Sequence, residues 1–123
     1  MTDKDKRFDL TERTARFGEE IIEFVKKVPR NTITLPLIDQ LVRAGTSVGA
    51  NYCEADCAES RKDFVHKLSV CKKEAKEVKH WLRMVVRAVP ELRPEARILW
   101  REANELNLIF AAIIRKTKSK VNS

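Results

Sequence analysis

The chain has 123 residues, of which 43% are apolar and 35% charged, with only three Gly and four Pro. That length suits one domain with a modest core, and so few turn-forming residues exclude a loop-rich all-β fold. The net charge of +7 favours anionic partners, and three cysteines without framework spacing exclude a disulfide scaffold and fit a reducing compartment.

The N-terminal stretch MTDKDKRFDL lacks the apolar core of a signal peptide. The longest apolar run, Leu108 to Ile114, is too short to span a bilayer. The expectation is a cytoplasmic protein without a membrane role. Asp9, with Glu12 three residues later, resembles a capping box that opens the first helix. Leu10, Thr14, Phe17, Ile21, Phe24 and Val28 then step by three and four, so this helix is expected over 9–28, and Pro29 and Asn31 end it.

The second helix is expected over 35–58, with Pro36 in its first turn, where the missing N–H costs nothing. One stripe is apolar: Ile38, Leu41, Gly45, Val48, Tyr52 and Ala55. A second, about 100° away, is small and polar: Gln40, Ala44, Ser47, Asn51, Glu54 and Ala58. Gly45 and Gly49 each cost about 1 kcal/mol relative to Ala in a helix, and close approach of another helix is the expected compensation. This helix is therefore expected to meet neighbours on two sides.

Ser60 and Asp63 resemble a second capping box, opening a helix expected over 60–88 with the seam Phe64, Leu68, Cys71, Ala75, Val78, Leu82 and Val85. The connector is short, so the second and third helices should be antiparallel neighbours. Val89-Pro90 closes the third helix and Pro94 marks the next start. Leu92, Ala96, Leu99, Ala103, Leu106, Phe110 and Ile113 form the seam of a fourth helix expected over 93–115, followed by a frayed basic tail, 116–123. Four amphipathic helices with short connections spell an all-α, antiparallel, up-down-up-down four-helix bundle. Trp81, Met84, Ile98, Ile109 and Ile114 fall off the seams, and with the two-sided second helix they predict a homo-oligomer.

The runs QLVRAGTSVGANYCEA (Gln40 to Ala55), ESRKDFVHKL (Glu59 to Leu68) and CKKEAKEVKHWL (Cys71 to Leu82) resemble the 23S rRNA-intervening sequence protein family of four-helix bundles. The matching positions are Gln40, Leu41, Arg43, Ser47, Val48, Ala50, Asn51, Glu54, Asp63, Phe64, Lys73, Glu74, Ala75, Trp81 and Leu82. Glu54-Ala55 stands where the commoner family form has Glu-Gly. The resemblance implies a homo-oligomeric ring, typically a pentamer. It also implies kinship with the accessory variability proteins of diversity-generating retroelements, whose rings bind RNA and a reverse transcriptase through basic surfaces. The intervening-sequence members themselves have a poorly defined function, so resemblance transfers fold better than activity.

The strongest chemical pattern is charge on the third helix, where residues 61–87 hold nine Lys/Arg against three Asp/Glu. Lys62, His66, Lys73, Lys76, His80, Arg83 and Arg87 recur at three-four spacing opposite the seam, with Lys72 and Lys79 on one flank. Such a stripe can neutralise phosphates without reading bases, and Lys72, Lys73, Lys76, Lys79, Arg83 and Arg87 are the expected RNA contacts. The plainer alternative is a solvated helix face. No aromatic residue interleaves with the stripe, which disfavours stacking on single strands.

Arg43, Ser47, Asn51 and Glu54 are expected to form a structural polar network on the second helix, with Glu54 partly buried and paired to Lys67 or to Arg43 of another chain. A ligand-binding row is the competing reading. Glu77 and His80 have the Glu-x-x-His spacing of di-iron bundles, but the second such pair is missing, and no cysteine set has zinc-like spacing. No metal, cofactor or catalytic set is expected. The leading reading is a non-enzymatic, RNA-associated accessory protein. A protein–protein adaptor with no nucleic-acid role is the rival, and a carboxylate-metal enzyme a weaker one.

Overall fold

Apolar residues at three-four spacing bury one stripe of each helix against the others, and the fold follows from that. A computed structural model describes the backbone of residues 3–122 and the side chains of residues 10–120. Helices α1 (Asp3–Val25), α2 (Thr34–Asp56), α3 (Arg61–Ala88) and α4 (Arg93–Asn122) carry the chain, with a 3₁₀ turn at Pro90–Leu92 and no strand among the described residues. Each helix packs on its neighbour in the chain, and α1 also meets α4. Among the described residues the backbones of α1 and α3 do not approach one another, nor do those of α2 and α4. The four therefore surround one core, consistent with a bundle. Phe17, Ile21, Leu41, Val48, Leu68, Val78, Leu82, Leu106 and Phe110 fill it.

Three boundaries differ from expectation. Helix α1 begins at Asp3 and passes straight through Asp9, because the intervening Lys and Arg residues are good helix formers and nothing breaks the turn. The expected Asp9 cap involves a side chain outside the described residues. At its far end α1 stops at Val25, yet tight-turn bonds continue to Val28, which is buried as the seam requires. Helix α4 does not fray after residue 115 but continues to Asn122. No Gly or Pro follows Pro94, and Thr117 Oγ1 donates back to the Ile113 carbonyl at 2.8 Å.

The α1–α2 connector is built by Asn31 rather than merely ending a helix there. Its Oδ1 accepts from the N–H groups of Ile33 and Thr34, both at 2.9 Å, and these would otherwise be unpaired at the start of α2. Thr34 Oγ1 in turn donates to the Pro29 carbonyl and accepts from Asn31 N–H. At the next connector, Ser60 Oγ accepts from Asp63 N–H at 3.1 Å, so Ser60 caps α3.

Gly45 has the close neighbour that its helix cost implies, and that neighbour is α1 of the same chain. A Cβ at position 45 would stand 2.8 Å from Ile21 Cγ1. Of the off-seam apolar residues, Ile114 is buried in the core, Trp81, Met84 and Ile109 are half-buried, and Ile98 is exposed.

Candidate nucleic-acid interface

The outer face of α3 is basic because its apolar seam uses the opposite face and its acidic residues are turned aside. Arg43 of α2 reaches Glu74 at 3.1 Å and Glu77 at 3.2 Å, so one cation engages both mid-helix carboxylates on the α2 flank. Lys72, Lys73, Lys76, Arg83 and Arg87 are exposed and have no ion-pair partner among the described residues. Lys79, the sixth expected contact, is placed differently. Its ammonium donates to Asn104 Oδ1 at 2.9 Å and lies 5.0 Å from the Trp100 ring centroid, a cation–π distance, so it ties α3 to α4.

Residues 43, 47, 51 and 54 do not join into one network within the chain. Arg43 serves the α3 carboxylates, Asn51 Nδ2 donates to the Ser47 carbonyl at 2.9 Å, and Glu54 meets Lys67 at 3.4 Å. Glu54 pairs with one of its two expected partners, but its side chain is 59% exposed, so the burial expected of it is absent. Helix geometry explains this: Glu54 lies on the rim of α2, where a long side chain reaches Lys67 without leaving water. Among the described residues the buried carboxylate is Glu74, at 7% exposure. Sequence reasoning missed it, although its place one residue before Ala75 of the seam was a usable signal.

Sequence reasoning also missed the α4 contribution. A cleft of about 790 Å³ between the end of α3 and the start of α4 is lined by Arg83, Arg87, Arg93, Arg97 and Arg101, with Trp100 and an apolar floor that includes Leu82 and Ala96. Among the described residues no carboxylate lines it. Arg93, Arg97 and Arg101 stand one helical turn apart, as do Arg83 and Arg87, so each arginine row was legible on its own helix. That the rows face each other was not.

The other candidate groups have structural surroundings. Glu77 is held by Arg43, and His80 lies edge-on to Trp81 with ring centroids 4.9 Å apart. Among the described residues no three His, Cys, Asp or Glu side chains converge as a metal site. Cys53 and Cys57 are exposed, whereas Cys71 is buried, with its thiol 3.6 Å from the Val48 carbonyl. Burial pushes the Cys71 thiol up to about 12, the opposite of what a nucleophile needs. No helix of the described chain is long and apolar enough to cross a membrane.

Residues 6–111 match the family described as 23S rRNA-intervening sequence protein. Among solved structures, the chain is similar to a protein with unknown function from the S23 ribosomal protein family of Bacteroides thetaiotaomicron VPI-5482. The identity is 30% and the TM-score 0.81, over 89% of this chain and 98% of that one. The comparison with curated proteins gives no match.

Proposed function

The chain belongs to the 23S rRNA-intervening sequence protein family, and from that premise we propose a non-enzymatic, RNA-associated accessory protein that holds phosphates on the outer face of α3. The observation that carries this reading is the sorting of charge on α3. Glu74 and Glu77 are drawn to Arg43 on one flank, leaving Lys72, Lys73, Lys76, Arg83 and Arg87 as an unpaired cationic strip. A phosphate backbone gains from such a strip through release of its counterions, without any base contact.

The test is a salt titration of RNA binding. Affinity should fall with a slope near −0.7 in log–log form for each single-strand phosphate contact. Changing Lys73, Lys76 and Arg83 together to Glu should abolish binding while the helical spectrum stays unchanged. Truncation after Ile114 is the control for the basic end of α4. If wild type binds no RNA at low salt, the RNA reading fails and a protein–protein adaptor takes its place.

The proposed architecture is antiparallel and cyclic. Glu54–Lys67, Val48–Cys71 and Arg43–Glu74 support the antiparallel part, since the α2 number falls as the α3 number rises. The exposed apolar side chains Ile22, Ile33, Leu35, Ile98 and Leu108 support assembly into a ring of like chains. A ring of five would repeat the basic strip and raise avidity through linked weak contacts. A cytoplasmic setting, and a protein partner such as a reverse transcriptase, belong to the same proposal.

A further inference from the structure

We propose that the α3–α4 cleft is a binding site for single-stranded RNA, in which Trp100 stacks on a base while arginines from both helices hold the flanking phosphates. This rests on the RNA-associated reading above and adds to it a substrate class and a set of residues, chiefly on α4. Three features of the cleft converge on this ligand.

The first is charge. Five exposed arginines line the cleft without a carboxylate among them, and none has an ion-pair partner among the described residues. Guanidinium groups grip phosphate through paired N–H donors, so such a concentration favours a phosphate-bearing ligand over a carboxylated peptide of mixed charge. The rows on α3 and α4 face one another across the cleft, so a strand lying between them meets cations on both sides.

The second is the aromatic surface. Trp100 is 41% exposed although it is among the largest apolar side chains of the molecule. Its ring is steadied by the Lys79 ammonium 5.0 Å from the centroid, and Lys79 is itself held by Asn104. Lys79 is not among the residues lining the cleft, whereas Trp100 is. A fixed indole beside an arginine cluster is the arrangement by which proteins hold unpaired bases, because every base offers a π-face.

The third is the floor. Leu82 and Ala96 are buried at its base, with Met84 and Val86 half-buried beside them. Inorganic phosphate gains nothing from an apolar floor, whereas a nucleobase does. Duplex RNA keeps its base faces stacked inside and presents only backbone and groove edges, so it cannot use Trp100. The ligand that uses arginines, indole and floor together is a single strand.

The test compares a uridine decamer with a hairpin RNA of equal charge, using the full-length chain at low salt. Wild type should prefer the single strand. Trp100→Ala should weaken decamer binding by about 10-fold or more while leaving the salt slope unchanged, because stacking releases no counterions. Trp100→Phe should restore most of the loss. The Arg97→Gln/Arg101→Gln pair should flatten the slope by about 1.4, the share of two single-strand phosphates. In a Trp81→Phe background the remaining indole fluorescence, that of Trp100, should be quenched by the decamer, a readout that does not require comparing variants of different stability. If Trp100→Ala binds as wild type and the fluorescence is unchanged, while the α3 triple variant loses binding, this inference is overturned and the basic-face reading stands. Equal affinity for hairpin and decamer also overturns it. If wild type binds neither RNA, both readings fall together.

Discussion

A methyl group at position 45 would sit 2.8 Å from Ile21 Cγ1 and 3.0 Å from Cγ2, closer than packed side chains tolerate. Ile21 is fully buried, so it has nowhere to retreat. Gly45→Ala gains about 1 kcal/mol of helix propensity, but overpacking costs roughly 1–3 kcal/mol, and the expected balance is a lower urea midpoint. Gly18 gives the contrast. A Cβ there would meet Thr46 Cα at 3.5 Å, an ordinary contact, so Gly18→Ala should raise stability by about 0.5–1 kcal/mol. If both variants shift the midpoint in the same direction, α1 and α2 do not meet at Gly45 as described. At the neighbouring ion pairs, Arg43→Ala would strand Glu74, buried at 7% exposure, and should cost about 1–3 kcal/mol. Glu54→Ala breaks a solvated pair and should cost about 0–1 kcal/mol. Equal losses in denaturation would show that the burial of Glu74 carries no penalty. The thiols differ for the same reason, burial. Cys53 and Cys57 should react with a thiol reagent in the native protein, and Cys71 only after unfolding. Because the folded Cys71 thiol lies near 12 and the ordinary value is 9.0, its contribution is complete below about pH 9 and is lost as pH rises toward 12. Cys71→Ala should flatten that alkaline loss, measured by melting at stepped pH.

The helices show how much a local pattern decides. Three-four spacing of apolar residues located all four, since burying a stripe requires that period whatever the partner. Their ends were less legible. The tail after Ile114 looked like a frayed end because it is polar, but polarity is no obstacle to a helix rich in Lys and Arg, and α4 runs on to Asn122. Asn31 looked like the stop of α1, yet its side chain starts α2 by accepting two N–H groups. Asn31→Ala should therefore cost about 1 kcal/mol, and Asn31→Asp, which keeps an acceptor, much less. Thermal melts of the two variants check this. Equal melting temperatures for wild type and Asn31→Ala would mean that water replaces the cap without loss.

At the scale of the whole molecule, the exposed apolar residues lie on several faces: Ile22 on α1, Ile33 and Leu35 at the start of α2, and Ile98 and Leu108 on α4. Assembly of like chains would cover some of them, and light scattering should then give a mass several times the 14.2 kDa of one chain. A particle of 14.2 kDa at micromolar concentration would remove the ring from the proposal. The sequence by itself determined the class of the molecule: helical segments, most of their seams and the excess of cations on α3, although at the end of α4 the structure buries Ile114 and leaves the expected seam residue Ile113 half-buried. Each of these depends on residues within a few turns of one another, where helix geometry alone fixes who shares a face. Only the tertiary structure decided which charges are free and which cations meet. Arg43 and Glu74 are 31 residues apart, and Arg13 and Glu102 are 89 apart. Trp100 reaches Lys79, and the α4 arginines line one cleft with those of α3, only because two helices pack at one particular register. Periodicity says that a helix has an outer face, but the neighbouring helix determines what that face is joined to.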